Sequence, residues 1–199
     1  PDNYAHKIFN IPSERKLFFF SGHMEPRKGI AIIMEAAKHL TKTRAQNDWH
    51  FLLFGNKGDE ANPYLKLLNN SEASKHVTFG GYRNDIPAIH KSCYAGIIAS
   101  TGWDSFTCSS LEIQASGLPL LLSDLPGLQE ATIDQKTGFH FKNGNHKDLA
   151  EKIELLLEQP SLQKELSKNA RSRIVSIFSL ETQITGLASL IKTICPQPN

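Results

Sequence analysis

The chain has little of what usually announces a function. Cysteines are three (Cys93, Cys108 and Cys195), widely spaced and odd in number, with no C-x-x-C, which points to reduced thiols rather than a disulfide framework. The eight histidines include no H-x-x-x-H and join no Cys/His cluster, so no zinc site is expected. No Asp-x-Asp closes a predicted strand, which leaves no ready holder for a magnesium-bound diphosphate. Both G-x-G-x-x-G and G-x-x-x-x-G-K-[ST] are absent, and Ser109-Ser110 lacks the G-x-S-x-G elbow of a hydrolase. Excess charge is small, +2 over 199 residues, and no basic run carries interleaved aromatics, so a nucleic-acid surface is not expected. No uninterrupted apolar run approaches the ~20 residues of a membrane span. There is no internal repeat, no low-complexity segment and no signal-peptide pattern, and the first residue is Pro1 rather than Met. The chain reads as a piece of a longer cytoplasmic protein.

What is present is an ordinary globular composition, 40% apolar and 21% charged, long enough for one domain with a real core. Residues 1–15 are polar and irregular, like a linker. Lys16–Phe20 is then a short aromatic run ended by Gly22, which suits a strand buried on both faces. After Pro26, Ile30, Ile33, Met34 and Ala37 follow the spacing of a core-facing helix.

The alternation continues. Strands are expected at His50–Phe54, Val77–Phe79, Tyr94–Ala99, Leu120–Leu122 and Gly138–Phe141. Helices are expected at Pro63–Asn70, Asp85–Ser92 and Thr107–Ser116, then one through Leu149, Ile153, Leu156 and Leu157. Two further helices break near Ser179, and the second carries an apolar stripe at Leu180, Ile184, Leu187, Ala188 and Ile191 that the visible core does not need. The pattern predicts an α/β fold, a Rossmann-like parallel sheet with helices on both faces, plus C-terminal helices. The chain divides into a linker (1–15), a binding domain (16–178) and a C-terminal helix and tail (179–199).

Ligands of such sheets bind beyond the carboxyl ends of the strands. Three of those loops carry suitable residues. Ser21–Lys28 brings His23, Arg27 and Lys28 to a helix start, where cations and N–H groups could neutralise a diphosphate; a solvated, capped helix start is the other reading. Gly80-Gly81-Tyr82-Arg83 has two glycines that could let a flat base approach the backbone, or could simply form a tight turn. The third, Thr101–Glu112, places Asp104 and Glu112 around a helix N-terminus. Carboxylates repel phosphate but accept hydrogen bonds from sugar hydroxyls, so the pair suggests a phosphate attached to a sugar. Alternatively Asp104 is a helix-start acid and Glu112 a surface residue. Leu111 and Ala115 are expected to be buried, and an acid among buried neighbours needs a partner.

Four segments in order carry a family resemblance. Phe18–His23 through Lys28-Gly29 is similar to a strand-Gly-Arg-x₄-Lys-Gly-helix opening. Asp104, Phe106, Glu112, Ser116-Gly117 and Pro119 are similar to a Glu-x₇-Glu signature with its following small residue-Gly-x-Pro. Pro126–Glu130 and Thr137-Gly138-Phe139 look like Gly-x-x-Glu and Thr-Gly-aromatic segments. From about Lys16 to Phe178 the chain thus resembles the C-terminal, donor-binding half of a GT-B-fold glycosyltransferase of the retaining family four.

The resemblance implies transfer from a nucleotide-diphosphate sugar, with retention, to an acceptor glycan or lipid-linked sugar, without a metal or other cofactor. It implies Lys28 and His23 at the diphosphate, Asp104 by the transferred sugar, and Glu112 on the ribose hydroxyls. Gly22, Arg27, Ser105, Phe106 and Thr107 would meet sugar and phosphate, and Gly81 and Tyr82 would line the base pocket. Three positions depart from the pattern: His23 stands for Arg, Asp104 for Glu, and Ser105 for a frequent Gly. A non-catalytic nucleotide-binding module of the same fold is the alternative. An epimerase or phosphorylase fits the Asp104/Glu112 segment less well. Acceptor site and membrane contact would lie on a missing N-terminal domain.

Overall fold

The structure is a computed structural model that describes residues 3–195. Six strands form one parallel sheet: β1 (Lys16–Ser21), β2 (Trp49–Phe54), β3 (Val77–Phe79), β4 (Cys93–Ile98), β5 (Leu120–Ser123) and β6 (Gly138–Phe141). Their spatial order is β3-β2-β1-β4-β5-β6, every neighbouring pair parallel. Among the described residues eight α-helices accompany them: α1 (Tyr4–Ile8), α2 (Ile30–Thr43), α3 (Asn62–Leu67), α4 (Ile86–His90), α5 (Cys108–Ala115), α6 (His146–Glu158), α7 (Pro160–Ile177) and α8 (Leu180–Ile194). The expected α/β alternation is present with boundaries shifted by a residue or a few.

Strand period two divides the core. Phe18 and Phe20 point to one face, into a cluster with Ile33, Met34 and Leu40 of α2 and Ile153 and Leu156 of α6. Leu17 and Phe19 point to the other, where they meet Ile89 of α4, Ile113 of α5 and Ala5 of α1. A sheet covered on both faces explains why its strands read as continuous apolar runs. Each fully buried Phe or Leu contributes about 1.5–3 kcal/mol.

Two expectations are corrected. The segment before β1 is not irregular throughout: Tyr4–Ile8 is a helical turn, with Ala5 fully buried and its N–H donating to Ser92 Oγ at 3.0 Å. Phe9 packs edge-on against Phe54 at 5.6 Å. One turn is too short to show a helical period, so only tertiary packing specifies it. The second correction concerns apolar length. Within Pro160–Ile194, which spans α7 and α8, an 18-residue window is apolar enough by length and composition to cross a membrane. Ser, Thr, Gln, Gly and Glu181 interrupt the aliphatic residues of its C-terminal part, so no unbroken apolar run shows there. Leu180, Ile184, Leu187, Leu190, Ile191 and Ile194 of α8 are all exposed, and no residue of that helix is buried. The C-terminal division expected at 179–199 includes residues 196–199, which lie outside the described residues, as do residues 1–2 of the expected linker.

Candidate functional site

Strand order reverses direction between β1 and β4, so the loops leaving their carboxyl ends diverge and open a crevice between them. A cavity of about 200 Å³ fills it, lined by Ser21, Gly22, His23 and Lys28 from the first loop and Ser100, Asp104, Thr107 and Ser109 from the other. At its centre Lys28 Nζ donates to Asp104 Oδ2 at 2.7 Å, with the two side chains only 17% and 9% exposed. Ser100 Oγ donates to the same oxygen at 2.6 Å.

Backbone contacts hold both loops. The Thr101 N–H donates to the Arg27 carbonyl at 2.8 Å. Gly29 follows with φ +72°, and a Cβ there would overlap the Ala99 carbonyl oxygen, so close approach to the end of β4 requires glycine. Phe106 N–H donates to the Gly127 carbonyl at 2.9 Å, tying the Asp104 loop to the loop after β5. A Cβ on Gly127 would likewise meet the Asp104 carbonyl oxygen.

Thr107 caps α5 by accepting from the Ser110 N–H at 3.3 Å, and Ser109 Oγ donates to the Ser21 carbonyl at 3.3 Å. Thr107 and Ser109 line the cavity at the helix start, so the positive end of the helix and the Lys28 ammonium serve one space. The chemistry available there is anion binding beside a carboxylate.

The structure gathers some of the expected residues and separates others. Gly22, His23, Lys28, Asp104 and Thr107 share the cavity. The His23 side chain is 81% exposed, its Nδ1 3.4 Å from Glu25 Oε1. Arg27 does not line the cavity; it donates to Glu25 Oε2 at 2.6 Å and to the Trp103 carbonyl at 2.8 Å, clamping the two loops together. The Arg27 guanidinium, and after it His23, hold the Glu25 carboxyl below its ordinary value against the opposing effect of desolvation.

Ser105 is exposed, and Phe106 turns away to pack on Phe178 at 5.1 Å. Gly81 and Tyr82 follow β3, two strands (about 10 Å) from β1, and line no part of this cavity. Gly81 has φ +75° and donates to Asn56 Oδ1 at 3.0 Å; Tyr82 is 71% exposed, with Lys57 Nζ 5.0 Å from its ring centre. Between the two regions lies a second cavity of about 540 Å³, lined by His23, Glu25, Gly55, Lys57 and Glu60, which shares His23 with the first.

Glu112 is the clearest departure. It is exposed, and Leu111 and Ala115 are only partly buried; Ser110, Ile113 and Gln114 are the buried residues of α5. With the helix starting at Cys108, the i, i+3, i+4 set facing the core is 110, 113 and 114, which turns 112 outward. Burial therefore imposes no need for a partner.

Sequence reasoning missed Ser21, Ser100, Ser109 and Glu25. Small polar residues directly after buried strands were the available signal for the first two; the others follow only from loop packing. Among the described residues no three His, Cys, Asp or Glu side chains gather as a metal site would require.

A model of the family described as glycosyl transferases group 1 matches residues 2–173. The chain belongs to that family. Among similar proteins, an N,N'-diacetylbacillosaminyl-diphospho-undecaprenol alpha-1,3-N-acetylgalactosaminyltransferase of Campylobacter jejuni is 32% identical over 171 residues, 80% of this chain and 44% of that protein. An Escherichia coli UDP-Gal:alpha-D-GlcNAc-diphosphoundecaprenol alpha-1,3-galactosyltransferase is 24% identical over 92% of this chain and 47% of its own length. This group 1 chain thus spans about half the length of the curated relatives it matches.

In fold it is similar to a glycosyltransferase from Rickettsia africae ESF-5, with a TM-score of 0.88 at 23% identity over 98% of this chain and 52% of that one. It is also similar to Anabaena Alr3699/HepE, whose structure is in complex with UDP, with a TM-score of 0.86 at 19% identity over 96% and 52% of the two chains. The parallel sheet is the Rossmann-like sheet of GT-B glycosyltransferase domains.

Proposed function

We propose that this chain is the donor-binding half of a retaining glycosyltransferase that takes a nucleotide-diphosphate sugar. The observation that carries the reading is the crevice between β1 and β4, where Lys28, Asp104 and the N-terminus of α5 converge in a group 1 glycosyltransferase fold. Lys28 and the helix start receive the diphosphate and stabilise it as it leaves. His23 adds a positive charge when protonated, at the join between the two cavities. Asp104 shares Lys28 with the diphosphate and accepts from a hydroxyl of the transferred sugar. The base extends through the larger cavity toward the loops after β2 and β3, with Gly81 and Tyr82 beyond its lining; Glu112, which lines neither cavity, is the ribose acceptor that the resemblance implies.

In the transfer, the bond between the anomeric carbon and the diphosphate oxygen breaks. The acceptor oxygen bonds that carbon on the same face, and the acceptor's hydroxyl proton passes to the departing diphosphate oxygen. Lys28, His23 and the helix dipole supply the charge stabilisation, so the reading requires no metal and no cofactor. The names of the relatives support a sugar linked to a polyprenol diphosphate as the acceptor class, and the reading places the transfer in polysaccharide or glycolipid biosynthesis at the cytoplasmic face of a membrane. That acceptor is held by a further N-terminal domain, which also covers the exposed apolar face of α8, and residues before β1 lead into it.

The test is a titration of the 199-residue chain with UDP, GDP, ADP and their sugar conjugates. Trp103, 94% exposed beside Asp104, provides a fluorescence signal, and calorimetry confirms it. Saturable binding of one diphosphate with no sugar transfer by the chain alone is the expected result. Transfer by this chain alone, or no binding by a folded chain, refutes the reading.

A second reading, a nucleotide-binding module without catalysis, is favoured by His23 and Asp104 standing where the family pattern has Arg and Glu. In the full-length protein, His23→Arg with Asp104→Glu separates the two: a module without catalysis shows no native transfer and no change in donor binding.

A further inference from the structure

The amino ends of β1 and β4 lie at the opposite edge of the sheet, about 17 Å from the crevice along a six-residue strand. A cavity of about 260 Å³ opens there, where α1, the turn before β1 and the turn before β4 meet. Arg15, Lys16 and Lys91 line it together with His6, Ser13 and Ser92, and no carboxylate lines it among the described residues. The chain as a whole carries only +2, from 22 basic and 20 acidic residues, so this one hollow holds more positive charge than the protein's net.

No carboxylate among the described residues pairs with these cations at contact distance, although Asp48 acts on Lys16 from further off. Among the described residues, none of the three forms an ion pair within 4.0 Å, whereas Lys28, Arg44 and Arg83 each have a carboxylate. Arg15 is fixed instead by neutral groups: its Nη1 donates to the Lys75 carbonyl at 2.5 Å and lies 3.3 Å from His50 Nδ1. Its own carbonyl accepts from His6 Nε2 at 2.8 Å, from a ring only 6% exposed. Lys16 Nζ lies 5.7 Å from the centre of the Tyr94 ring. Ser92 Oγ accepts from the Ala5 N–H, which leaves its proton to donate. Like charges held together in a concave surface repel one another, and an anion in the hollow removes that cost.

We propose that this hollow is a second anion site, separate from the crevice, which takes a phosphate group through Arg15, Lys16 and Lys91 with hydroxyl donors at Ser13 and Ser92. The phosphate belongs either to a soluble phosphate compound or to a lipid headgroup; the recognition chemistry is common to both. The site does not depend on what the crevice binds.

The experiment titrates the isotopically labelled 199-residue chain with inorganic phosphate and follows backbone amide resonances. Saturable shifts at Arg15, Lys16, Ser92 and Cys93 are expected, and Lys16→Glu with Lys91→Glu weakens them at least tenfold. Phosphate shifts at Gly22 and Thr107, in the crevice, persist in that variant. Should charge reversal disturb the spectrum elsewhere, Lys16→Gln with Lys91→Gln replaces it. Shifts confined to the crevice, non-saturating shifts spread over surface lysines, or an unchanged double variant overturn the proposal.

Sedimentation with phosphatidylglycerol vesicles, against phosphatidylcholine alone, identifies the source. Binding to the anionic vesicles that the double variant loses assigns a lipid headgroup. Phosphate binding without vesicle binding assigns a soluble compound.

Discussion

Lys28 Nζ and Asp104 Oδ2 meet at 2.7 Å although 76 positions separate them in the chain, and this contact joins the two loops of the crevice. In this state the lysine's charge is balanced by a carboxylate, so a diphosphate must compete for it or share it. Asp104→Asn is therefore expected to leave binding of the free nucleotide diphosphate unchanged or tighter. Lys28→Ala should weaken that binding about 10–100-fold and reduce its salt dependence. Both changes should lower stability by about 1–4 kcal/mol, since each leaves a mostly buried partner uncompensated. Calorimetry at two salt concentrations with denaturant unfolding checks all three statements. An unaltered salt response in Lys28→Ala removes the lysine from the phosphate.

Glu112 gives the opposite signature. It is exposed on α5, so Glu112→Gln should leave the unfolding midpoint unchanged. If it serves the ribose, nucleotide affinity falls by about 1–3 kcal/mol, the range for a hydrogen bond to a charged acceptor. A dissociation constant equal to the parent's excludes that role.

Gly127→Ala tests the loop architecture. The added methyl meets the Asp104 carbonyl oxygen, and the 104–106 loop must shift to admit it. A loss of about 1–3 kcal/mol in stability is expected, together with loss of nucleotide binding. If binding is retained at full affinity, the position of the Asp104 loop is not what forms the site.

Acid stability should follow two core histidines. Burial first, then the charge of Arg15, pushes His50 down to about 3, and burial alone pushes His90 down to about 4. Both are neutral when folded, while the unfolded chain takes up protons near pH 6.5. The unfolded state thus binds more protons between those values, and stability rises with pH there. The contribution is complete above about pH 6.5 and is lost as pH falls toward 4, at about 1.4 kcal/mol per pH unit for each histidine. Chemical denaturation at half-unit intervals from pH 7 to 5.5, above the carboxylate range, measures the slope. A flat profile shows that neither ring is shielded in solution.

Much of the fold was legible because each element repeats its signal along the chain. Phe18-Phe19-Phe20 and Leu120-Leu121-Leu122 are continuous apolar runs because both sheet faces are covered. The period of Ile30, Ile33, Met34 and Ala37 is carried by four residues of one helix. Helix α1 is one turn and repeats nothing, so its packing under Ser92 and Phe54 had no local signature. Apolar Leu111 and Ala115 suggest buried neighbours for Glu112, but the packing of α5 on the sheet turns Ser110, Ile113 and Gln114 inward instead, and sequence alone does not fix that rotation.

The sequence by itself determined the α/β alternation and the chemical types offered at the strand ends: a lysine after β1, a carboxylate and a helix cap after β4. Those depend on local patterning, which short-range sterics and burial enforce residue by residue. Tertiary structure alone decided that Lys28 meets Asp104, that Arg27 serves the loops instead of the cavity, and that Arg15, Lys16 and Lys91 share a hollow at the far edge. These are contacts between segments distant in the chain. Strand order and loop docking fix them, and no window of sequence contains both partners.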